Sequence, residues 1–217
     1  MGLRSKMAQV IFFAVIIIII YERRSTNLDN YLQNLRGVLF FYSMNIAFSA
    51  IFGSINIFSQ ERGVFIRERL SNTYRTTPYF VGRSLTYLPL ELLLPVVLVS
   101  ISYFAVNLNP NPASFFLTIA SCWLSMWMAS AYGFFLSTAF ADAEVALTLV
   151  PILIVPLMLV GGYYAPTMPD FYRIFEYISV FKYSYQTLIY AQFYDRRDGW
   201  DITLNGKNFH FSGDILA

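Results

Sequence analysis

The chain has 217 residues, of which 57% are hydrophobic, 18% aromatic and only 13% charged, with a mean hydropathy of +0.52. Soluble domains carry about a quarter charged residues, so this composition excludes a disordered tail, a nucleic-acid-binding arm and an ordinary cytosolic domain. The net charge of +2 is too small to point to a polyanionic partner, and a single cysteine (Cys122) with a single histidine (His210) excludes a disulfide framework and a Cys- or His-rich metal site.

What remains is an all-α, polytopic membrane protein. A bilayer core of about 30 Å needs about 20 apolar residues per helix. Residues 37–59, 92–141 and 145–169 carry no charge, and the Asn/Pro-rich stretch 107–112 divides the longest of these runs. Five spans are therefore expected, at 7–21, 37–59, 79–106, 113–141 and 145–162. The first is short, and Arg4 and Lys6 before it also suit a signal peptide. Tyr-Glu-Arg-Arg follows it instead of a small-residue cleavage site, which favours a membrane helix.

The second span carries Asn45, Ser49, Phe52 and Asn56 on one helical face, with Phe41 and Phe48 on the same side. Amides are costly in lipid, so this face is expected to look into protein or a cavity. It serves either as hydrogen-bonding glue between helices or as an aromatic substrate wall with a polar handle. In the following segment, 60–75, Ile66, Leu70 and Tyr74 repeat every four residues, with Glu61 and Arg62 before them and Arg67, Glu68 and Arg69 between them. The pattern predicts an amphipathic helix, bound to headgroups or docking a partner. Five arginines within 60–84 place it on the cytoplasmic side, and the uncharged turn 107–112 outside.

Glu91 is the one carboxylate inside a span, flanked by Pro89 and Pro95. It is a proton carrier, a cation contact or half of a buried polar pair. In the fourth span Ser121, Ser125, Ala129, Gly133, Ser137 and Ala141 recur every four residues, a small-residue ribbon that lets helices approach closely. Trp123 and Trp127 lie off that ribbon, and Cys122 is expected to be a buried, inert thiol. The fifth span contains Pro151 and Pro156 and ends in Gly161-Gly162-Tyr163-Tyr164. Residues 171–194 are aromatic but too polar for a sixth span, which suits helices that lie at the interface or dip in and return. With five crossings from an internal start, 163–217 forms an external loop. No phosphate loop, H-E-x-x-H or G-x-S-x-G occurs, so nothing in the sequence activates a nucleophile or holds a metal.

Several stretches, in order, carry a resemblance. They are Gly37-Val-Leu-Phe-Phe41, Glu61-Arg-Gly-Val-Phe-Ile-Arg-Glu68, Tyr74-Arg-x-x-x-Tyr79-Phe, Leu88-Pro-Leu-Glu-Leu-Leu-Leu-Pro95, Gly161-Gly-Tyr-Tyr164 and Tyr177-Ile-Ser-Val-Phe-Lys-Tyr183. Over about 190 residues the chain resembles the type-2 membrane domain of ABC transporters, in its G-subfamily (White/pleiotropic drug resistance) form.

That resemblance implies a dimer of membrane domains driven by two ATP-binding domains, exporting lipids, sterols or amphipathic compounds. It implies that 60–75 is the coupling helix, that Asn45 and Phe48, with Phe52 on their face, line the cavity, and that Tyr163 and Tyr164 form a plug, more polar than usual, before the exit. Residues 165–194 would match the large external loop with its re-entrant helices. ATP and Mg are expected in a partner or missing ATP-binding domain, so that the chain is not an enzyme by itself. Homo- or heterodimerisation with another G-subfamily half-transporter, contact with membrane lipids and a plasma-membrane location are expected on the same ground. Only six residues precede the first span and no sixth span follows, which reads as part of a transporter. The alternative is a non-transporting membrane interaction protein that dimerises with an intact half-transporter.

Overall fold

The computed structural model describes residues 3–21, 28–71, 75–106, 108–140, 142–164, 173–193, 200–204 and 207–211. The elements are α1 (Leu3–Ile20), α2 (Leu28–Leu70), α3 (Thr76–Ala105), α4 (Pro112–Ala139), α5 (Ala143–Leu159), α6 (Arg173–Ile178) and α7 (Val180–Phe193), followed by β1 (Trp200–Leu204) and β2 (Lys207–Phe211). The fold is helical and polytopic, and an antiparallel hairpin pairing Trp200 with Phe211 and Leu204 with Lys207 is its one addition among the described residues.

Among the described residues, three stretches are long and apolar enough to cross a membrane: Gln33–Leu70, Thr76–Ala105 and Pro112–Ala139. Of the other two expected spans, α1 has 18 residues, about 27 Å of helix, and α5 has 17. Ala14 and Ile17 of α1 are fully buried and α1 packs along α3, as a resident helix of the bundle does.

α2 differs most from expectation. Its 43 residues make a rod of about 65 Å, twice the bilayer core. No helix end accompanies the expected span boundary at residue 59, and the helix runs on through Gln60 to Leu70. The sequence there holds no proline, and Gly63 alone costs only about 1 kcal/mol in a helix. Polarity changes at that point, but the backbone ladder does not. The expected separate helix 60–75 is therefore the distal part of α2, and Arg75 is an extended residue leading into α3. Tyr74 lies outside the described residues, as do Ala141, the last member of the small-residue ribbon, and residues 165–172.

Turn chemistry sets the other boundaries. The Asn111 side chain accepts from the Ala113 amide at 3.0 Å and Pro112 opens α4, a capped start. α5 stops at Leu159, short of the expected 162, because the chain turns at Gly162 with φ +89, a conformation that favours glycine.

The core lies along the seam of α2 and α4. A Cβ on Gly133 would come within 2.7 Å of the Ile51 carbonyl oxygen and 2.8 Å of Ser54 Cβ, so glycine is what allows the two helices to meet. Ser121, Ser125, Ala129 and Ser137 are buried on the same face. α7 returns into the bundle, antiparallel to α4: Ser184 meets Ser125 at 2.7 Å, and Gln192 meets Thr118 at 2.8 Å.

Candidate functional site

A cleft of about 570 Å³ lies between α1 and α2. The α2 wall consists of Asn45, Phe48, Ser49, Phe52 and Asn56, with Gly53 between them. The α1 wall consists of Lys6, Gln9 and Phe13, and Gln60 closes the end toward the α2 extension. Phe48 and Phe52 stack with ring centroids 6.0 Å apart, and Phe48 also meets Phe181 of α7 at 6.0 Å. The Asn56 amide donates to the Phe52 carbonyl of its own helix at 2.9 Å. Among the described residues no hydrogen bond ties Asn45 or Asn56 to another helix, and both residues line the cleft.

Phe40 sits about 7.5 Å along α2 from Asn45. It stacks on Tyr163 at 4.7 Å and meets Tyr164 edge-on at 5.3 Å and Tyr185 at 5.8 Å. Aromatic pairs at these separations prefer stacked or edge-to-face geometry and add about 1 kcal/mol each beyond area burial. Four rings from α2, the Gly161–Gly162 turn and α7 thus form one cluster past the end of the cleft.

At the opposite end, the α2 extension is gripped by two other helices. Glu61 forms an ion pair with Arg83 of α3 and accepts from the Tyr79 hydroxyl at 3.3 Å. Phe65 packs on the Tyr79 ring at 4.6 Å. Arg62 donates to the Phe140 carbonyl, just past α4, at 2.7 Å, and Ser59 lies 3.4 Å from Ser137. Arg67 and Arg69 are exposed, Arg67 donating to the Gly63 carbonyl of its own turn at 3.3 Å, and Glu68 is half-buried. Val64, Ile66 and Leu70 add exposed apolar surface to this rod.

Glu91 of α3 accepts from the Ser130 hydroxyl of α4 at 2.8 Å. The pair sits in a second groove of about 360 Å³, walled by Phe80, Leu85, Trp127 and Phe134. Cys122 is a buried free thiol.

Two parts of this arrangement were hidden in the sequence. Lys6, Gln9 and Phe13 follow helical spacing, but only if α1 begins before residue 7, as it does. Gln192, in the aromatic stretch 171–194 that reads as too polar for a span, proves to be interior, and nothing in its local pattern distinguishes it from surface amides.

These features define a class: a helical membrane domain with an amphipathic cleft, an aromatic constriction beyond one end and a charged helical rod at the other. A family profile described as ABC-2 type transporter matches residues 1–193. The chain belongs to the ABC-2 type transporter family, and its relatives are G-family members and White proteins. It is 35% identical to ABC transporter G family member 21 of Arabidopsis thaliana over 75% of this chain and 24% of that protein. It is 31% identical to Protein white of Drosophila melanogaster over 81% of this chain and 26% of that protein. The ABC transporter ATP-binding protein/permease wht-1 of Caenorhabditis elegans is 28% identical over 71% of this chain and 23% of that protein. The chain thus spans about a quarter of the length of these curated relatives and forms a membrane part of an ABC transporter.

Proposed function

We propose that this membrane part belongs to an ATP-driven exporter of lipid-like or amphipathic molecules, working as a dimer by alternating access at the plasma membrane. One observation carries the reading: a single unbroken helix, α2, holds both the cleft wall, from Asn45 to Asn56, and the charged rod from Gln60 to Leu70. A push on the rod is a push on the wall. Aromatic faces with a few amides suit a substrate with an apolar body and a polar end.

ATP and Mg belong to an ATP-binding domain, which at least one relative's name includes. That domain docks on the exposed Arg67, Arg69, Ile66 and Leu70 surface. The ion pair of Glu61 with Arg83 and the Arg62 contact to Phe140 pass its closure to α3 and α4. The cleft narrows around Phe48 and Phe52, and its content leaves past Tyr163 and Tyr164. Driving a 1:99 equilibrium to 99:1 takes about 5.5 kcal/mol of differential binding, within reach of nucleotide binding by a partner domain.

The test is ATP-dependent efflux of a fluorescent amphiphile from vesicles holding the chain together with a G-family ATP-binding domain. Combined Asn45→Ala and Phe48→Ala is expected to lower efflux at least tenfold with insertion unchanged. Co-purification with an intact half-transporter without any contribution to flux would replace this reading by that of a non-transporting interaction protein.

A further inference from the structure

The α1 side of the cleft contains a charge that its α2 side does not. Lys6 lines the cleft one turn into α1, and its Nζ lies 3.6 Å from where a Cβ on Gly53 would stand. The ammonium therefore reaches across to α2 at a position with no side chain. Among the described residues Lys6 makes no hydrogen bond or ion-pair contact. Glu91 is near enough to attract it, but that carboxylate is engaged by Ser130 and opens on the neighbouring groove, which Lys6 does not line. An ammonium inside a membrane protein is costly unless something complements it. Along α1 and α2 near it lie the amides of Gln9, Asn56 and Gln60, with Phe52 next to Gly53, and farther along the cleft lie the rings of Phe13 and Phe48. The cleft is thus cationic at the end next to the α2 rod and uncharged beyond it, where Asn45 and Ser49 are the polar groups among the rings.

We propose that the cleft selects amphiphiles with an anionic head, a carboxylate, sulfate or phosphate, with Lys6 as the counter-charge and the apolar body lying along the phenylalanines. This rests on the reading of the cleft as a substrate site and adds the sign of the substrate's charge. With the cationic end on the cytoplasmic side, the bound molecule keeps the orientation of an inner-leaflet lipid, head toward water and chain inward. A volume of about 570 Å³ suits one single-chain amphiphile.

The experiment measures equilibrium binding of radiolabelled oleoyl-lysophosphatidate and oleoyl-lysophosphatidylcholine to the full chain in zwitterionic nanodiscs. The two probes share a chain and differ in head charge. Lysophosphatidate is expected to bind at least tenfold more tightly. Lys6→Gln should abolish the difference and Lys6→Arg preserve it. Butyl phosphate, a head with almost no chain, should compete only at far higher concentration; strong competition would reassign the site to small soluble anions and overturn the amphiphile part. Equal binding of the two lysolipids by the unaltered chain overturns the charge selectivity alone, whether or not the variants fold. Absence of binding by both overturns the substrate-site reading with it.

Discussion

The two ends of the bundle are held together in different ways. At the end bearing the 108–111 turn, Asn109, Gln192, Tyr103, Thr118 and Ser114 form a closed network. The Asn109 amide N–H donates to Gln192 Oε1 at 3.1 Å, and its side chain donates to Ser114 and to the Gln192 carbonyl, each at 3.1 Å. Gln192 donates to Thr118 at 2.8 Å and Tyr103 at 3.2 Å, and Tyr103 donates back to the Asn109 carbonyl at 2.7 Å. All five residues are buried. At the other end the contacts are ionic and partly solvated: the side chains of Arg83 and Glu61 are 26% and 32% exposed. Buried neutral networks are stiff because each broken bond leaves a desolvated group. Exposed ion pairs are screened and can re-form at a shifted distance. The first end suits a fixed frame and the second a joint.

The largest expected effect falls between the two, where they share a seam. Gly133→Leu forces a side chain against Ile51 and Ser54 and should lower stability by about 3 kcal/mol. The loss is expected at both ends together, read by hydrogen exchange in α7 and in the α2 extension alongside thermal exposure of Cys122, a buried thiol and the chain's sole cysteine, to a thiol reagent. If only one end loosens, the seam does not join them.

Gln192→Leu tests the frame. It keeps the volume and removes partners of Asn109, Thr118 and Tyr103, and is expected to cost about 2 kcal/mol. Hydrogen exchange should increase in the described part of the 106–112 connection and in α7, with the α2 extension unaffected. Ser125→Ala removes the hydroxyl contact across to Ser184, along with the bond to the Ser121 carbonyl of its own helix, and should cost about 0.6 kcal/mol, the usual size of one interhelical hydrogen bond in a membrane. A cost as large as that of Gln192→Leu would mean that no special network exists at the end bearing the 108–111 turn.

The difference between the ends also explains what the sequence revealed. Polarity along α2, the small-residue ribbon of α4 and the Asn/Pro turn were visible because each repeats with a local period or breaks one. The Gln192–Asn109 network was not, since its members are 83 positions apart and no local pattern marks either as interior. Lys6 was legible only as a charge before a hydrophobic run; its place in the cleft depends on how α1 packs along α3. The continuity of α2 past residue 59 was hidden for the opposite reason, a local change of polarity without a matching backbone event.

The smallest expected change in stability belongs to the joint. Glu61→Arg removes the ion pair with Arg83 and the contact to the Tyr79 hydroxyl, and sets two guanidinium groups face to face. With both side chains partly in water, the cost should stay near 0.5 kcal/mol, and insertion and Cys122 protection should be unchanged. Under the proposed coupling, in which the rod moves α3, ATP-driven flux should in contrast fall to background. Adding Arg83→Glu re-creates the pair with its signs exchanged. If attraction between α2 and α3 is what transmits the stroke, the double swap should recover a large part of the flux although neither native side chain is present. If the double swap folds and inserts but stays inactive, the pair is a local contact and the stroke travels by another route, the Arg62 contact to Phe140 being the next to test. If the single variant keeps full flux, the joint does not carry the coupling at all.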